Sequence, residues 1–178
     1  MYWISKIIVF CIPLFFVAEN PVAMQWNENY KLSWDDFQGT PPNKSPFVAS
    51  TQSGIYFSYS SQNKNGEITL TTSVSANFYP ENSWYFSKNV NAAILKHEQG
   101  HFDISEIHAR ELRKKFSMYT VSENFKNELQ SIYSETENNR NTMQNKYDKE
   151  TNHSKIIEKQ KQWERFIQQE LSRLKNWK

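Results

Sequence analysis

Cysteine is nearly missing from this chain: of its 178 residues, Cys11 is the single one. Ile8, Val9 and Phe10 ahead of it are too bulky for a lipid-attachment signal. Beyond Cys11 the chain excludes a disulfide framework, a cysteine nucleophile and thiolate metal ligands. Long apolar runs are also scarce. Residues 7–18 (IIVFCIPLFFVA), after Lys6, form a run of about a dozen, where a membrane-spanning helix needs roughly twenty. That length fits the hydrophobic region of a signal peptide over residues 1–23, with Ala23 before the cut. The protein is therefore expected to be exported, to a periplasm or to the outside, with a retained N-terminal anchor as the alternative. An excess of one charge is lacking too. The 21 basic and 19 acidic residues leave a formal +2, which offers nothing to nucleic acid, nor to a membrane beyond the export signal. Nothing in the pattern sets an oligomeric state.

Residues 24–178 are enough for one compact domain with a core. With four glycines and six prolines, breakers are few and their positions informative. Residues 24–46 look irregular, apart from a short strand expected over 30–34, and Gln38-Gly39-Thr40-Pro41-Pro42 makes a connector. Residues 50–60 and 67–79 carry β-forming residues, the second alternating Ile68, Leu70, Thr72, Val74, Ala76 and Phe78 on one face. Asn63-Lys64-Asn65-Gly66 between them is hairpin chemistry. Ser83 is a fair N-cap for a helical region, and from about 89 to 119 nothing interrupts a helix except Gly100. Apolar residues on more than one side predict that this helix is buried. Helical stretches near 123–145 and 154–177 follow. In the last, Ile156, Trp163, Ile167, Leu171 and Leu174 form a packing stripe.

The chemistry concentrates in His97-Glu98-Gln99-Gly100-His101. Four residues apart on a helix, the two imidazoles lie one turn apart on one face and can ligate one ion. Glu98 sits about 100° round from His97, placed to take a proton from an ion-activated water and return it to a leaving amine. Gly100 costs about 1 kcal/mol against alanine inside a helix, so close approach of a neighbouring backbone or of substrate next to the ion, or plain packing, is expected there. A catalytic zinc needs a third protein ligand. His108 lies about 10 Å further along the helix than His101, out of reach. His153 and the carboxylates of Glu106, Glu123, Glu128 and Asp148 remain open. Asp103, about 200° round from His101, is no ligand, and Glu106 pairs with Arg110 one turn on.

Several blocks resemble a family of secreted bacterial proteins of uncharacterised function that is catalogued under zinc-dependent proteases: LSWDDFQG (32–39), SGIYFSY (53–59), Ser83-Trp84, LKHEQGHFDISEIHAR (95–110) and YDKETNH (147–153). The resemblance implies a zincin-like domain with one Zn2+ held by His97, His101 and, as the natural third ligand, His153, with Glu98 as base. The family usually has glycine after the downstream histidine, where this chain has Ser154. Within the YDKETNH block, Tyr147 is a candidate catalytic donor to an oxyanion. Asp148 could orient a ligand imidazole from behind.

The expected architecture is α+β and zincin-like: a small antiparallel sheet, then the long helix carrying the motif, then two C-terminal helices. The expected function is hydrolysis of a peptide or protein substrate as a zinc metallopeptidase. Residues 67–79 are the expected edge strand holding the peptide. A non-catalytic zinc-binding interaction protein of the cell envelope is the competing reading, and a zinc hydrolase of another amide a third.

Overall fold

In the computed structural model, which describes residues 22–178, the elements run β1 (Met24–Gln25), β2 (Ala49–Ser50), β3 (Ser53–Lys64), β4 (Glu67–Phe78), β5 (Trp84–Tyr85), α1 (Ala92–Ser117), α2 (Phe125–Thr151) and α3 (Ile157–Arg173). Cys11, and all but the last two residues of the expected signal peptide, lie outside the described residues. Among the described residues the fold is α+β, with three helices and a small antiparallel sheet.

The two alternating stretches close into one hairpin, β3 paired with β4 along its whole length. Asn65 and Gly66 turn the chain at φ 56° and 89°, the left-handed pair that a two-residue hairpin loop requires. The register sets Ile55 opposite Ala76 and Phe57 opposite Val74. These side chains face α1, and Tyr56, opposite Ser75, faces out. β1 adds two residues to β4, giving the order β1-β4-β3, and β2 and β5 form a separate two-residue ladder. Residues 30–34 are not a strand. The chain there runs into a short 3-10 turn at Trp34–Asp36, whose Asp36 carboxylate takes the Ser33 N–H at 2.7 Å.

α1 starts at Asn91 rather than near Ser83. The Asn91 side chain accepts from the N–H groups of Ala93 and Ile94 at 2.9 and 3.0 Å, satisfying two of the helix's unpaired donors. Ser83 is spent elsewhere, its hydroxyl bridging Tyr79 O and Gln52 N. α1 is the shared wall of two cores. Phe102, Ala109, Leu112 and Phe116 meet the hairpin and the start of α2. Ile104 and Ile107 meet Tyr147, Trp163, Ile167 and Leu171 from α2 and α3. That two-sided burial is what the apolar residues on several faces of this helix predict.

α2 runs six residues beyond the expected end at 145, and this matters most for the site. Tyr147 and Asp148 therefore stand on a helix, not in a loop. The helix stops at Asn152, a left-handed C-cap at φ 47°, and His153 and Ser154 stay left-handed at φ 51° and 68°. The three-residue reversal sends α3 back along α1.

Candidate metal centre

On α1, His97 and His101 bring their Nε2 atoms to 3.2 Å. Each ring is held from behind by a glutamine. His97 Nδ1 meets Gln160 Oε1 at 3.0 Å, and His101 Nδ1 meets Gln144 Oε1 in a short contact. The glutamine NH2 groups are committed elsewhere: Gln160 Nε2 donates to the Tyr147 hydroxyl at 2.8 Å, and Gln144 Nε2 to His101 O at 2.8 Å. Both amide oxygens must therefore accept, so both imidazoles donate through Nδ1–H. Each neutral ring then presents an Nε2 lone pair to the same point.

Asp148 of α2 supplies a third atom there. Its Oδ1 lies 3.0 Å from each Nε2, and the three donor atoms all fall within 4.8 Å of one another. His97, His101 and Asp148 form a possible metal-binding triad. Ligands at about 2.0–2.1 Å from a tetrahedral ion stand about 3.3 Å apart, so the observed 3.0–3.2 Å separations fit. Electrostatics agrees. Two lone pairs and a carboxylate oxygen aimed at one point repel unless a cation or protons lie between them. Burial opposes the charge on Asp148, but the His101 and His97 rings beside it outweigh that and hold the carboxyl well below its usual range. Burial likewise pulls His101 down, yet Asp148 and Glu98 raise it overall.

Glu98 stands beside the triad, 5% exposed, its Oε2 accepting from the Thr51 hydroxyl at 2.7 Å. Both line a cleft of about 330 Å³ that also holds the three donors. The opposite wall is residues 46–53, around β2. Val48 O accepts from Phe86 N at 2.8 Å, and Gln52 bonds Ser83 Oγ and Tyr79 N. Strand alternation turns the backbone of Ala49 and Thr51 the other way, away from β5. The expected edge strand, residues 67–79, plays no such part: β4 is the middle strand of its sheet and contributes nothing to the cleft.

His153 lines the same cleft but sits one contact further out. Its Nδ1 is 3.3 Å from Asp148 Oδ1, its ring packs on Phe47, and its side chain is 40% exposed. It is not among the three mutually close donors. Tyr147 lies behind the site and lines no part of the cleft. Fully buried, it stacks on His97 at 4.4 Å and donates its hydroxyl proton to His97 O at 3.2 Å. Burial pushes its hydroxyl pKa up. In this arrangement its proton is spent on the backbone, and the side chain packs and positions the His97 ring. Tyr147 also explains Gly100: a Cβ there would fall on its hydroxyl and lie 2.9 Å from Cζ.

The remaining candidates lie elsewhere. Glu128 accepts from Ser122 and Tyr119 near the other end of α2, and Glu123 is exposed in the loop before it. Glu106 is buried against Arg110 at 2.8 Å, and Asp103 accepts from Trp26 Nε1 at 2.7 Å. His108 is buried, its Nδ1 3.0 Å from Glu111 Oε2 but off the hydrogen-bond axis. Reading the sequence missed Gln144, Gln160 and Thr51. For Gln144 a signal exists: it precedes Asp148 by four residues, the same step as His97 to His101. Gln160 and Thr51 leave none.

The fold and site define an α+β protein with a candidate two-histidine, one-aspartate metal centre in a cleft. Residues 33–154 match the family described as "Bacterial protein of unknown function (DUF922)", and the chain belongs to that family. The matched span holds the triad, Glu98, Thr51 and Gln144, and leaves out α3 with Gln160. No curated protein and no solved structure matches the chain.

Proposed function

We propose that this protein is an exported, zinc-dependent peptidase of zincin-like design, with Glu98 as general base. One observation carries the reading: three metal-type donors converge at tetrahedral spacing, with Glu98 beside them in an open cleft. His97 Nε2, His101 Nε2 and Asp148 Oδ1 would hold the ion, the donor spacing favouring Asp148 over the expected His153. Zinc there supplies Lewis acidity toward water and toward a carbonyl oxygen.

The chain's own residues do the rest. The Gln144 and Gln160 amides fix both rings in the ligating tautomer. The Thr51 hydroxyl pins Glu98 Oε2. Oε1 has no partner among the described residues, and as the free oxygen it takes a proton from the attacking water and passes it to the leaving amine. The outward-turned backbone of Ala49 and Thr51 is suited to pair with an extended peptide, so the substrate strand adds to β2 rather than to β4.

Metal analysis of the purified protein, with peptide-library digestion by wild type and Glu98→Gln, tests this. The expected result is one bound zinc in each protein, with cleavage lost in the variant. Zinc without cleavage in wild type would favour the non-catalytic envelope reading, and absence of zinc would end both.

A further inference from the structure

The cleft continues along α2 away from the triad. Asp148, Gln144 and Arg140 recur every four residues on one face and all line it. Arg140 therefore stands two turns, about 12 Å along the axis, from Asp148. Its side chain is 12% exposed and pinned in place. Nε donates to Glu137 Oε2 at 3.0 Å, and Nη2 donates to Glu137 Oε2 and to Asn141 Oδ1, both at 2.9 Å. Glu137 is itself anchored across the fold, accepting the Ile55 N–H at 3.1 Å. The guanidinium thus has Nε and Nη2 committed and Nη1 left over. Nη1 bonds no acceptor among the described residues, and it is not buried.

Such a group binds anions by shape more than by long-range attraction. Glu137 cancels the charge at a distance, while its pairing with Nε and Nη2 keeps the two unspent Nη1 N–H groups oriented. Among the described residues, Lys155 is the other lysine or arginine lining the cleft, and it is exposed.

Resting on the peptidase reading above, we propose that Arg140 is a specificity-determining residue that receives a carboxylate of the bound peptide. The carboxylate comes from a free C-terminus or from an aspartate or glutamate side chain a few residues from the scissile bond.

The test is direct binding to zinc-loaded protein by calorimetry, with peptide hydroxamates that anchor on the metal. Three probes of equal length are compared: one ending in a free carboxylate, one in an amide, and one in an amide with a glutamate in the chain. In wild type, at least one carboxylate probe is expected to bind about tenfold or more tighter than the neutral amide, the least that a hydrogen bond to a charged group confers. Which of the two does so identifies the source. Arg140→Gln is expected to lose that advantage while binding the neutral probe as wild type does, which also shows that the variant is folded. Equal binding of all three probes by wild type overturns the proposal, and so does an advantage that survives in Arg140→Gln. If no hydroxamate binds, the metal-site reading itself fails and the carboxylate site falls with it.

Discussion

The phenol of Tyr147 lies against the bare α-carbon of Gly100, filling the volume that any side chain there would need. The same phenol closes a loop of hydrogen bonds: His97 Nδ1 to Gln160, Gln160 to Tyr147, and Tyr147 back to His97 O. One glycine on α1 thus lets a residue of α2 set the ring orientation of a candidate metal ligand.

Gly100→Ala should therefore destabilise, although alanine is the better helix former by about 1 kcal/mol. Overpacking of this kind costs about 1–3 kcal/mol, so a net loss is expected in thermal melts. Tyr147→Phe removes the nearest clashing atom, and the double variant should lose less than the sum of the two single losses. Strict additivity would mean that the two residues do not share that space.

Asp148 and His153 make different predictions for metal affinity. Asp148→Ala should weaken zinc by more than the about 10–100-fold typical of an outer-shell loss, with His153→Ala inside that range. Competitive zinc titration decides the order. A larger effect at His153 would return it to the role expected from the resemblance.

The glutamines behind the rings are testable without turnover. Gln144→Ala and Gln160→Ala should each reduce zinc affinity about 10–100-fold with the fold intact by circular dichroism. Unchanged affinity in both alanine variants would show that the rings are held by packing alone.

Ser154 adopts φ 68°, a conformation that glycine enters freely and that costs other residues about 1–2 kcal/mol. The glycine usual at this position in the resembled family has its physical reason here. Ser154→Gly should raise stability by up to about 1 kcal/mol in urea unfolding and leave zinc affinity unchanged. A lower midpoint would mean that the serine hydroxyl supports the reversal.

What the sequence settled alone was local. The β3–β4 hairpin follows from alternation and from Asn65-Gly66, because strand period and turn chemistry act within a few residues. The buried helix and the pairing of His97 with His101 follow from 3.6-residue periodicity and a four-residue step. The pairing of Glu106 with Arg110, and the distance of His108 from the triad, follow from the same helical geometry. Only tertiary structure decided the rest. Asp148 reached the histidines because α2 ran on to Thr151, and nothing between 145 and 151 is a strong enough breaker to mark that end. Gln160 and Thr51 arrived from α3 and from the chain beside β2, 63 and 47 residues away from the partners they hold. The cleft wall became β2 rather than β4, since β4, though the better strand by composition, was claimed on both sides by β1 and β3. Contacts at such separations are chosen by how helices and sheet pack together, and no periodicity in the chain encodes them.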